Sequence, residues 1–331
     1  MSPLKIGIVG TGKVTVASYL PYLAQEPDVT LGYYSRTREK SDACAAQFGG
    51  QVFDSMAALM AWDPDTVLVL TRETQRLEAT QAILEHRPRR IFFEKPLVAA
   101  HGQENVTEQD FIDARQIIQQ AEAIGCETAM VFNYRFFEHS ALARRIIEDR
   151  GFGKVLNISG LVHYACWSHS IDLVHFFGGP IAEISALRGQ AMHESGNFRA
   201  QDVTVAFRTA GDATGTLIGT TALAWTFPLY ELTFNFEHGR IRMEDLDGAM
   251  TVMDARGLEV QTYRIAADRS RWNQYNESFR KSLQAYLQSI RDRQPPPVAG
   301  RFGLLELQVE AGIKRSITDG KPIQLDEVFK V

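Results

Sequence analysis

The chain has 331 residues, of which 45% are hydrophobic and 23% are charged. This composition is ordinary for a globular protein and argues against intrinsic disorder, and the length is sufficient for two domains. The formal net charge is -5, with acidic and basic residues interspersed. Without a dense Lys/Arg run, the chain is predicted to bind neither nucleic acid nor an anionic membrane surface.

Three further features predict a cytoplasmic protein. No apolar run approaches the length that crosses a bilayer. The N-terminal residues lead straight into a predicted strand and lack the apolar segment of a secretory signal. Cys44, Cys126 and Cys166 are odd in number and scattered, which favours reduced thiols over a disulfide framework.

The first part of the chain alternates short apolar runs with helical patterns. Such alternation is typical of a parallel, doubly wound sheet. Predicted strands cover residues 4–9, 30–34, 67–70, 91–93 and 126–131, and predicted helices include 75–85 and 110–124.

From about residue 150 the pattern changes to strands in succession, which predicts an antiparallel sheet of the α+β kind. Aromatic residues near Trp225 predict that a helix layer or a partner subunit covers one sheet face. The predicted strands cover residues 155–162, 181–188, 203–208, 216–221, 229–236 and 240–244; the predicted helices cover 168–177, 271–291 and 303–318.

A glycine-rich turn follows the first strand and opens a helix. Gly10 permits a tight turn, and Gly12 lets backbone N–H groups approach a pyrophosphate at the helix N-terminus. Thr15 occupies the position where a third glycine or an alanine is usual. The alternative is a chance glycine turn, but the strand–helix–strand context favours dinucleotide binding.

The end of the second strand predicts which dinucleotide binds. NAD sites usually place a carboxylate there, whereas this chain has Ser35, Arg36 and Thr37. These side chains, and potentially that of Arg38, can bind a 2′-phosphate, so NADP is predicted in preference to NAD. The alternative is a solvated basic turn.

Glu94-Lys95-Pro96 directly follows an apolar parallel strand. It therefore falls at the carboxyl end of the sheet, where such folds bind ligands. An ammonium beside a carbonyl oxygen stabilises the alkoxide that forms during hydride transfer. The alternative on local sequence is a surface ion pair at a strand end.

Several motifs together resemble the glucose–fructose oxidoreductase/inositol dehydrogenase (Gfo/Idh/MocA) family. They are Gly10-x-Gly12, Glu94-Lys95-Pro96, Asn133-Tyr134-Arg135-Phe136, and a tail that contains Glu310-Ala311-Gly312 and Gly320-Lys321-Pro322. The resemblance implies a tightly held nicotinamide cofactor and a substrate that is a sugar, a cyclitol or a related polyol. It also implies an open C-terminal sheet that forms oligomer contacts, as a homodimer or homotetramer.

The predicted fold class is α/β, with an N-terminal Rossmann doubly wound parallel sheet and a C-terminal α+β domain built on a large, mostly antiparallel open sheet. Residues 1–128 are predicted as the NADP-binding Rossmann domain and residues 129–298 as the substrate-binding and oligomerisation domain. Residues 299–331 are predicted as a C-terminal helix and tail that pack back on the Rossmann domain.

The resemblance also implies roles for single residues. Lys95 matches the family lysine that contacts substrate and nicotinamide, and His169 and Asp172 match its His-x-x-Asp element. Positions three apart at the start of a helix can face one cleft, and a histidine suits transfer of the hydroxyl proton. Asp172 would orient the imidazole or bind a substrate hydroxyl. His175 is interpreted as a packed helix histidine.

Two positions depart from the family pattern. Ala165 stands where many members carry an Asp, so Tyr164 or His163 is the candidate substitute in the proton relay. Thr71-Arg72 stands where the family commonly shows Thr-Pro; Arg72 is either a contact for an anionic or polar ligand or a surface arginine.

The predicted site therefore has three parts and no metal. The catalytic side chains are those of Lys95, His169 and Asp172. The cofactor-binding residues are Gly10, Thr11, Gly12, Lys13, Val14, Ser35, Arg36, Thr37, Thr71, Arg72, Glu94 and Lys95. The substrate-binding residues are Tyr134, Arg135, His163, Tyr164 and Trp167.

The predicted function is NAD(P)-dependent hydride transfer to or from a hydroxyl or keto carbon. One alternative is a non-catalytic dinucleotide-binding sensor of the same fold, against which the presence of Lys95 and His169 argues. Another is an enzyme that uses oxidation as a transient step and recycles its cofactor internally.

Overall fold

A computed structural model describes residues 3–265 and 270–331. The described residues form two compact units, one built from the chain up to Val131 together with Phe279–Leu307, the other from Phe132–Ser278 together with Gln308–Val331. Each unit has its own β-sheet.

The sheet of the first unit has strand order β3-β2-β1-β4-β5-β6, and each neighbouring pair is parallel. This arrangement confirms the predicted doubly wound Rossmann sheet. The strands are β1 (Leu4–Val9), β2 (Val29–Tyr34), β3 (Gln51–Val52), β4 (Thr66–Val69), β5 (Arg90–Phe93) and β6 (Glu127–Met130).

Helices connect these strands. A π-helical segment, Thr15–Tyr19, precedes α1, and a 3₁₀ turn, Gln103–Asn105, precedes α5. The helices are α1 (Leu20–Leu23), α2 (Arg38–Phe48), α3 (Met56–Ala61), α4 (Glu73–Leu84) and α5 (Glu108–Ala123). The sequence pattern had predicted α4 and α5 but not α2, α3 or the two-residue strand β3.

The second unit is built on a mostly antiparallel sheet of strand order β14-β13-β12-β11-β7-β10-β9-β8-β15, in which β7 and β10 are parallel. This confirms the predicted α+β class. Its strands are β7 (Val155–His163), β8 (Ile181–Ser195), β9 (Phe198–Thr209), β10 (Thr214–Thr220), β11 (Tyr230–Phe236), β12 (Gly239–Glu244), β13 (Met250–Asp254), β14 (Glu259–Tyr263) and β15 (Ile323–Gln324).

Short 3₁₀ turns, Asn133–Phe136 and Tyr164–Cys166, precede two of the remaining helices. Those helices are α6 (Glu138–Asp149), α7 (Trp167–Gly178), α8 (Arg271–Arg291), α9 (Arg301–Asp319) and α10 (Leu325–Val328). The pattern had predicted α7, α8 and α9, whereas α6, α10, β13, β14 and β15 are additional elements.

The first boundary between the units, between Val131 and Phe132, lies three residues after the predicted residue 128. The other two fall within α8 and α9 and not at residue 298. The later part of α8 belongs to the first unit, where the Tyr286 ring lies 4.8 Å from that of Phe92. The end of the chain belongs to the second unit, because Ile323 pairs with Ile184 of β8.

One face of the second sheet carries buried apolar side chains, and the other is exposed. On β9, Val203, Val205 and Phe207 are buried, whereas Thr204 and Ala206 between them are exposed. This alternation follows from the two-residue period of a strand. In the described part of the chain, no helix combines the length and the hydropathy that a membrane span requires.

Candidate functional site

The turn after β1 requires a glycine at position 10. Gly10 has a φ of +99°, and a Cβ there would lie 2.7 Å from the Thr71 amide nitrogen. Its own N–H donates to the Tyr34 carbonyl at 3.0 Å. Gly10 therefore allows the turn to lie directly against the carboxyl end of β4, which neighbours β1 in the sheet.

The next glycine faces open space. Apart from its two chain neighbours, no residue that the structure describes has an atom within 4 Å of the position that a Cβ would take on Gly12. The Gly12 carbonyl accepts from the Val16 N–H at 3.2 Å, and the Thr15 hydroxyl donates to the Gly10 carbonyl at 2.8 Å. An unobstructed glycine at the beginning of a helical segment fits the close approach of a dinucleotide pyrophosphate.

The remaining predicted residues of this turn differ in exposure. Thr11 is buried, Lys13 is exposed, and the Val14 side chain is 47% exposed. The open side of the turn is therefore lined by one cationic and one apolar side chain.

The basic residues after β2 have different environments. Arg38 is engaged by two carboxylates, with Nε 3.0 Å from Asp42 Oδ1 and a further ion pair to Asp54. Arg36 is exposed and has no hydrogen bond or ion pair with any residue in 3–265 or 270–331. The Ser35 hydroxyl accepts from the Thr37 N–H at 3.3 Å.

Glu94 is occupied by protein donors. Its Oε1 accepts from the Tyr19 hydroxyl at 2.7 Å, and its Oε2 accepts from the Lys95 N–H at 2.9 Å. The carboxylate is also buried. The structure therefore gives Glu94 a role in holding the backbone of Lys95, whereas the sequence had assigned it to the cofactor.

The Lys95 ammonium has one defined partner. Lys95 Nζ donates to Gln103 Oε1 at 2.8 Å, from a side chain that is half-buried. Sequence reasoning had not identified Gln103, which lies in a short turn eight residues further on.

A buried arginine connects the ends of two strands. Arg76 of α4 donates to the Thr71 carbonyl at 2.7 Å and to the Glu94 carbonyl at 2.8 Å, and it also contacts the Pro96 carbonyl. Burial lowers the pKa of Arg76 from its ordinary value, and Glu94 opposes the shift. Arg72, by contrast, is exposed at the beginning of α4.

In the second unit, His169 lies within an aromatic cluster. Its ring is stacked on that of Tyr134, with centroids 3.9 Å apart and planes 9° from parallel. The Phe132 ring meets it edge-on at 6.0 Å. The Tyr134 hydroxyl lies 3.2 Å from Cys166 Sγ, and this contact helps to orient the ring that stacks on the imidazole.

Asp172 is paired with Arg135. Arg135 Nε and Nη2 donate to the two carboxylate oxygens at 2.8 and 2.6 Å, and Asp172 is fully buried. Burial raises the pKa of Asp172 to about 6, and Arg135 opposes the shift. The sequence had assigned Asp172 to the imidazole or a substrate hydroxyl and Arg135 to the substrate, whereas here they bind each other.

The three remaining residues predicted to bind substrate lie where β7 ends and α7 begins. His163 is fully buried; its Nδ1 accepts from the Ala165 N–H at 3.0 Å, while its Nε2 has no hydrogen-bond partner among the described residues. Burial lowers the pKa of His163, which favours the neutral ring. The Tyr164 hydroxyl donates to the Gln201 carbonyl at 3.1 Å, and Trp167 is buried.

Two further buried titratable groups lie on or beside α7. Burial raises the pKa of Glu310 to about 7, against the effects of Lys314 and of the nearby Trp167 indole. Burial lowers the pKa of His175 to about 3. His175 is therefore a neutral core histidine, as its interpretation from the sequence proposed.

Residues 4–126 match the Gfo/Idh/MocA model described as an oxidoreductase family with an NAD-binding Rossmann fold, and residues 154–325 match the C-terminal alpha/beta domain of the same family.

Two catalogued enzymes are related in sequence. The chain is 20% identical to myo-inositol 2-dehydrogenase of Thermotoga maritima over 98% of this chain and 100% of that one. It is 21% identical to glucose-6-phosphate 3-dehydrogenase of Bacillus subtilis over 48% of this chain and 42% of that one. The second match therefore spans less than half of that relative.

Among solved structures, levoglucosan dehydrogenase in complex with NADH and levoglucosan superposes with a TM-score of 0.81 at 16% identity. The superposition covers 98% of this chain and 100% of that one. At this identity the likeness establishes the fold alone.

Proposed function

Because the chain belongs to the Gfo/Idh/MocA oxidoreductase family and is an NAD(P)-dependent dehydrogenase, we propose that it uses NADP and acts on a sugar, a cyclitol or a related polyol. Hydride transfer would occur at a hydroxyl or keto carbon. The observation that carries the proposal is the constrained position of Lys95. Its backbone N–H donates to Glu94 Oε2 at 2.9 Å, and its ammonium donates to Gln103 Oε1 at 2.8 Å.

The residues of the first unit fit a dinucleotide. Gly12 leaves room for the pyrophosphate, and Lys13 and Val14 are exposed beside it. Arg36, which has no carboxylate partner among the described residues, supports NADP over NAD, because such a guanidinium can give its donors to a 2′-phosphate. Arg38 is assigned no such role, since Asp42 and Asp54 already neutralise it.

The chemistry divides between the cofactor and the protein. The bound nicotinamide supplies the acceptor or donor of hydride. We assign Lys95 to hydrogen-bond the reacting oxygen, where a positive charge stabilises a developing alkoxide. We assign His169 to accept the hydroxyl proton during oxidation and to return it during reduction.

The surroundings of His169 suggest how its ring is oriented. Tyr134 stacks on the imidazole at 3.9 Å, and the next residue, Arg135, is bound to Asp172. We propose that Asp172 acts through this ion pair on the segment that carries Tyr134. Since both carboxylate oxygens accept from Arg135, Asp172 is assigned a positioning role and no role in proton transfer.

The substrate class is supported by what related proteins are named for. One relative is a myo-inositol 2-dehydrogenase and another a glucose-6-phosphate 3-dehydrogenase. Polyhydroxylated rings require several directional hydrogen bonds, and His163 Nε2 at the end of β7, which has no hydrogen-bond partner among the described residues, is a candidate for one of them. The exposed Arg72 is a candidate contact for an anionic substituent.

We further propose a homo-oligomer that uses the exposed face of the second sheet. Small side chains line that face across four neighbouring strands, from Ser185 through Ala206 and Thr216 to Ser159. This row of small residues allows close approach of the same face of a second copy. Light scattering should give a mass of two or four chains, and a monomeric mass would refute the assignment.

The function is tested by incubating the protein with NADP and a panel of sugars, cyclitols and sugar acids while following absorbance of the reduced cofactor. Lys95→Met should reduce turnover about 100-fold or more while cofactor affinity stays near that of the wild type. Lys40→Met, on the exposed surface of α2, is the matched control. Failure of every polyol to reduce the cofactor would refute the proposal; a substrate altered without net cofactor reduction would favour a transient oxidation.

A further inference from the structure

Arg76 is the most completely buried cation near the predicted cofactor turn. Its side chain is 2% exposed, a situation that arginine rarely tolerates without several partners. Its partners are three backbone carbonyls, those of Thr71, Glu94 and Pro96. The guanidinium therefore donates its hydrogen bonds to the backbone at the ends of two parallel strands, β4 and β5.

Two of these carbonyls flank Lys95 in the chain. Arg76 Nη1 donates to the carbonyls of the residues before and after this lysine, and the Lys95 N–H donates to the Glu94 carboxylate at 2.9 Å. Because the guanidinium is planar and its donors have fixed directions, it sets the separation of the carbonyls that it bridges. A lysine ammonium has no such fork.

Arg76 lies on a different element from the residues whose carbonyls it binds. Arg76 belongs to α4, where the Thr80 hydroxyl donates to the Arg76 carbonyl at 2.7 Å. The Thr71 carbonyl, which accepts at 2.7 Å, belongs to the segment against which Gly10 turns. One buried side chain therefore links the Lys95 segment to the glycine-turn edge of the sheet.

We propose that Arg76 is the positioning residue for Lys95, holding the backbone that aims its ammonium. The inference rests on the proposed function only in giving Lys95 a chemical role. Arg76 itself contacts no substrate in this scheme; it acts through the carbonyls of Glu94 and Pro96.

The test measures Lys95 directly, without turnover. The cofactor-free protein is acetylated with a limiting amine-specific reagent, and the rate at each lysine is read by mass spectrometry. Arg76→Lys keeps a positive charge but loses the fork, so acetylation of Lys95 should rise about tenfold as the segment opens locally. Acetylation of Lys13 and Lys40, which are exposed, should not change.

A matched control separates positioning from general destabilisation. Tyr286→Phe removes a buried hydrogen bond of 2.6 Å to Thr66 on β4, within the same unit, without touching Lys95. This variant should melt at a lower temperature yet acetylate Lys95 at the wild-type rate. If Arg76→Lys does not fold, Arg76→Gln replaces it, since an amide still donates to one carbonyl.

The results that overturn the inference are specific. They are a wild-type rate of Lys95 acetylation in a folded Arg76 variant, or an equal rise in Tyr286→Phe. Where a substrate is known, kcat should fall about 100-fold for Arg76→Lys, and an unchanged kcat would also overturn it. If no polyol reduces the cofactor, the proposed function fails, while the acetylation rates still decide the role of Arg76.

Discussion

The guanidinium of Arg135 binds the carboxylate of Asp172 through two hydrogen bonds, Nε to Oδ2 at 2.8 Å and Nη2 to Oδ1 at 2.6 Å. Both side chains are nearly inaccessible, with exposed fractions of 8% and 0%. Charges removed from water in this way are stable only while the pair is intact. The relationship has a measurable consequence for stability.

Arg135→Met should destabilise the protein by about 3 to 5 kcal/mol, because it leaves a buried carboxylate without a partner. Burial already raises the pKa of Asp172 from 3.8 to about 6, and loss of Arg135 raises it further. The folded state then holds a proton that the unfolded state releases, so stability falls as the pH rises through the folded-state pKa. The free energy of unfolding, measured with urea, should therefore differ from wild type more at pH 8 than at pH 5.

The control for that experiment is the double variant Arg135→Met with Asp172→Asn. The amide cannot ionise, so the extra loss of stability at pH 8 should disappear. An equal loss at both pH values in the single variant would show that Asp172 ionisation is not its source.

The two glycines of the turn after β1 should respond differently to alanine. Gly10→Ala should cost about 1 to 3 kcal/mol or more, since φ is +99° there and the new Cβ would lie 2.7 Å from Thr71. Gly12→Ala should melt like the wild type, because no described residue other than its chain neighbours lies within 4 Å of the new Cβ, yet bind NADPH more weakly. Thermal melts and fluorescence titration measure the two effects. Wild-type NADPH affinity in Gly12→Ala would contradict pyrophosphate binding at this turn.

Arg36 and Arg38 form a second matched pair. Arg36→Asp should lower the ratio of NADPH to NADH affinity about 10-fold to 100-fold, the value of a charge-assisted hydrogen bond. Arg38→Ala should leave the ratio within about threefold, because Arg38 already pairs with Asp42 and Asp54. Calorimetric titration with both nucleotides measures the ratio. Equal affinities in the wild type would refute the preference for NADP.

His169 and His175 lie on one helix and are both buried, so the same substitution can be compared at the two positions. His169→Phe keeps a ring beside Tyr134 but removes the proton acceptor, so kcat should fall about 100-fold or more. His175→Phe should leave kcat near the wild-type value, since burial lowers the pKa of His175 to about 3 and the ring is neutral at physiological pH. A nearly silent His169→Phe would show that another group moves the proton.

Much of the first unit could be predicted because its strands are short, continuous apolar runs separated by helical patterns. Strand β1 coincides with its prediction, and β2, β4 and β5 begin within one residue of theirs.

In the second unit, the strands β13 and β14 and the helix α6 were missed. Strand β14 has mostly polar or exposed side chains, and it therefore shows no clear alternation.

The chemistry of individual side chains could be read from the chain, but their partners could not. Local pattern was enough to mark Gly10, Lys95 and His169, because a glycine turn and a charged strand end are signals within a few residues. Arg76 was given no role from the sequence, and Arg135 was assigned to the substrate. Arg76 has a partner 20 residues away, Pro96, and Arg135 has a partner 37 residues away, Asp172.

The order of residue types along the backbone was sufficient for the fold class, the dinucleotide turn and the family. Only the tertiary structure decided which carboxylate pairs with which cation. An ion pair, or an arginine bound to backbone carbonyls, depends on separations of about 3 Å between segments that are distant in the chain. Burial then altered the proton affinity of groups such as Asp172. No spacing along the chain encodes those distances.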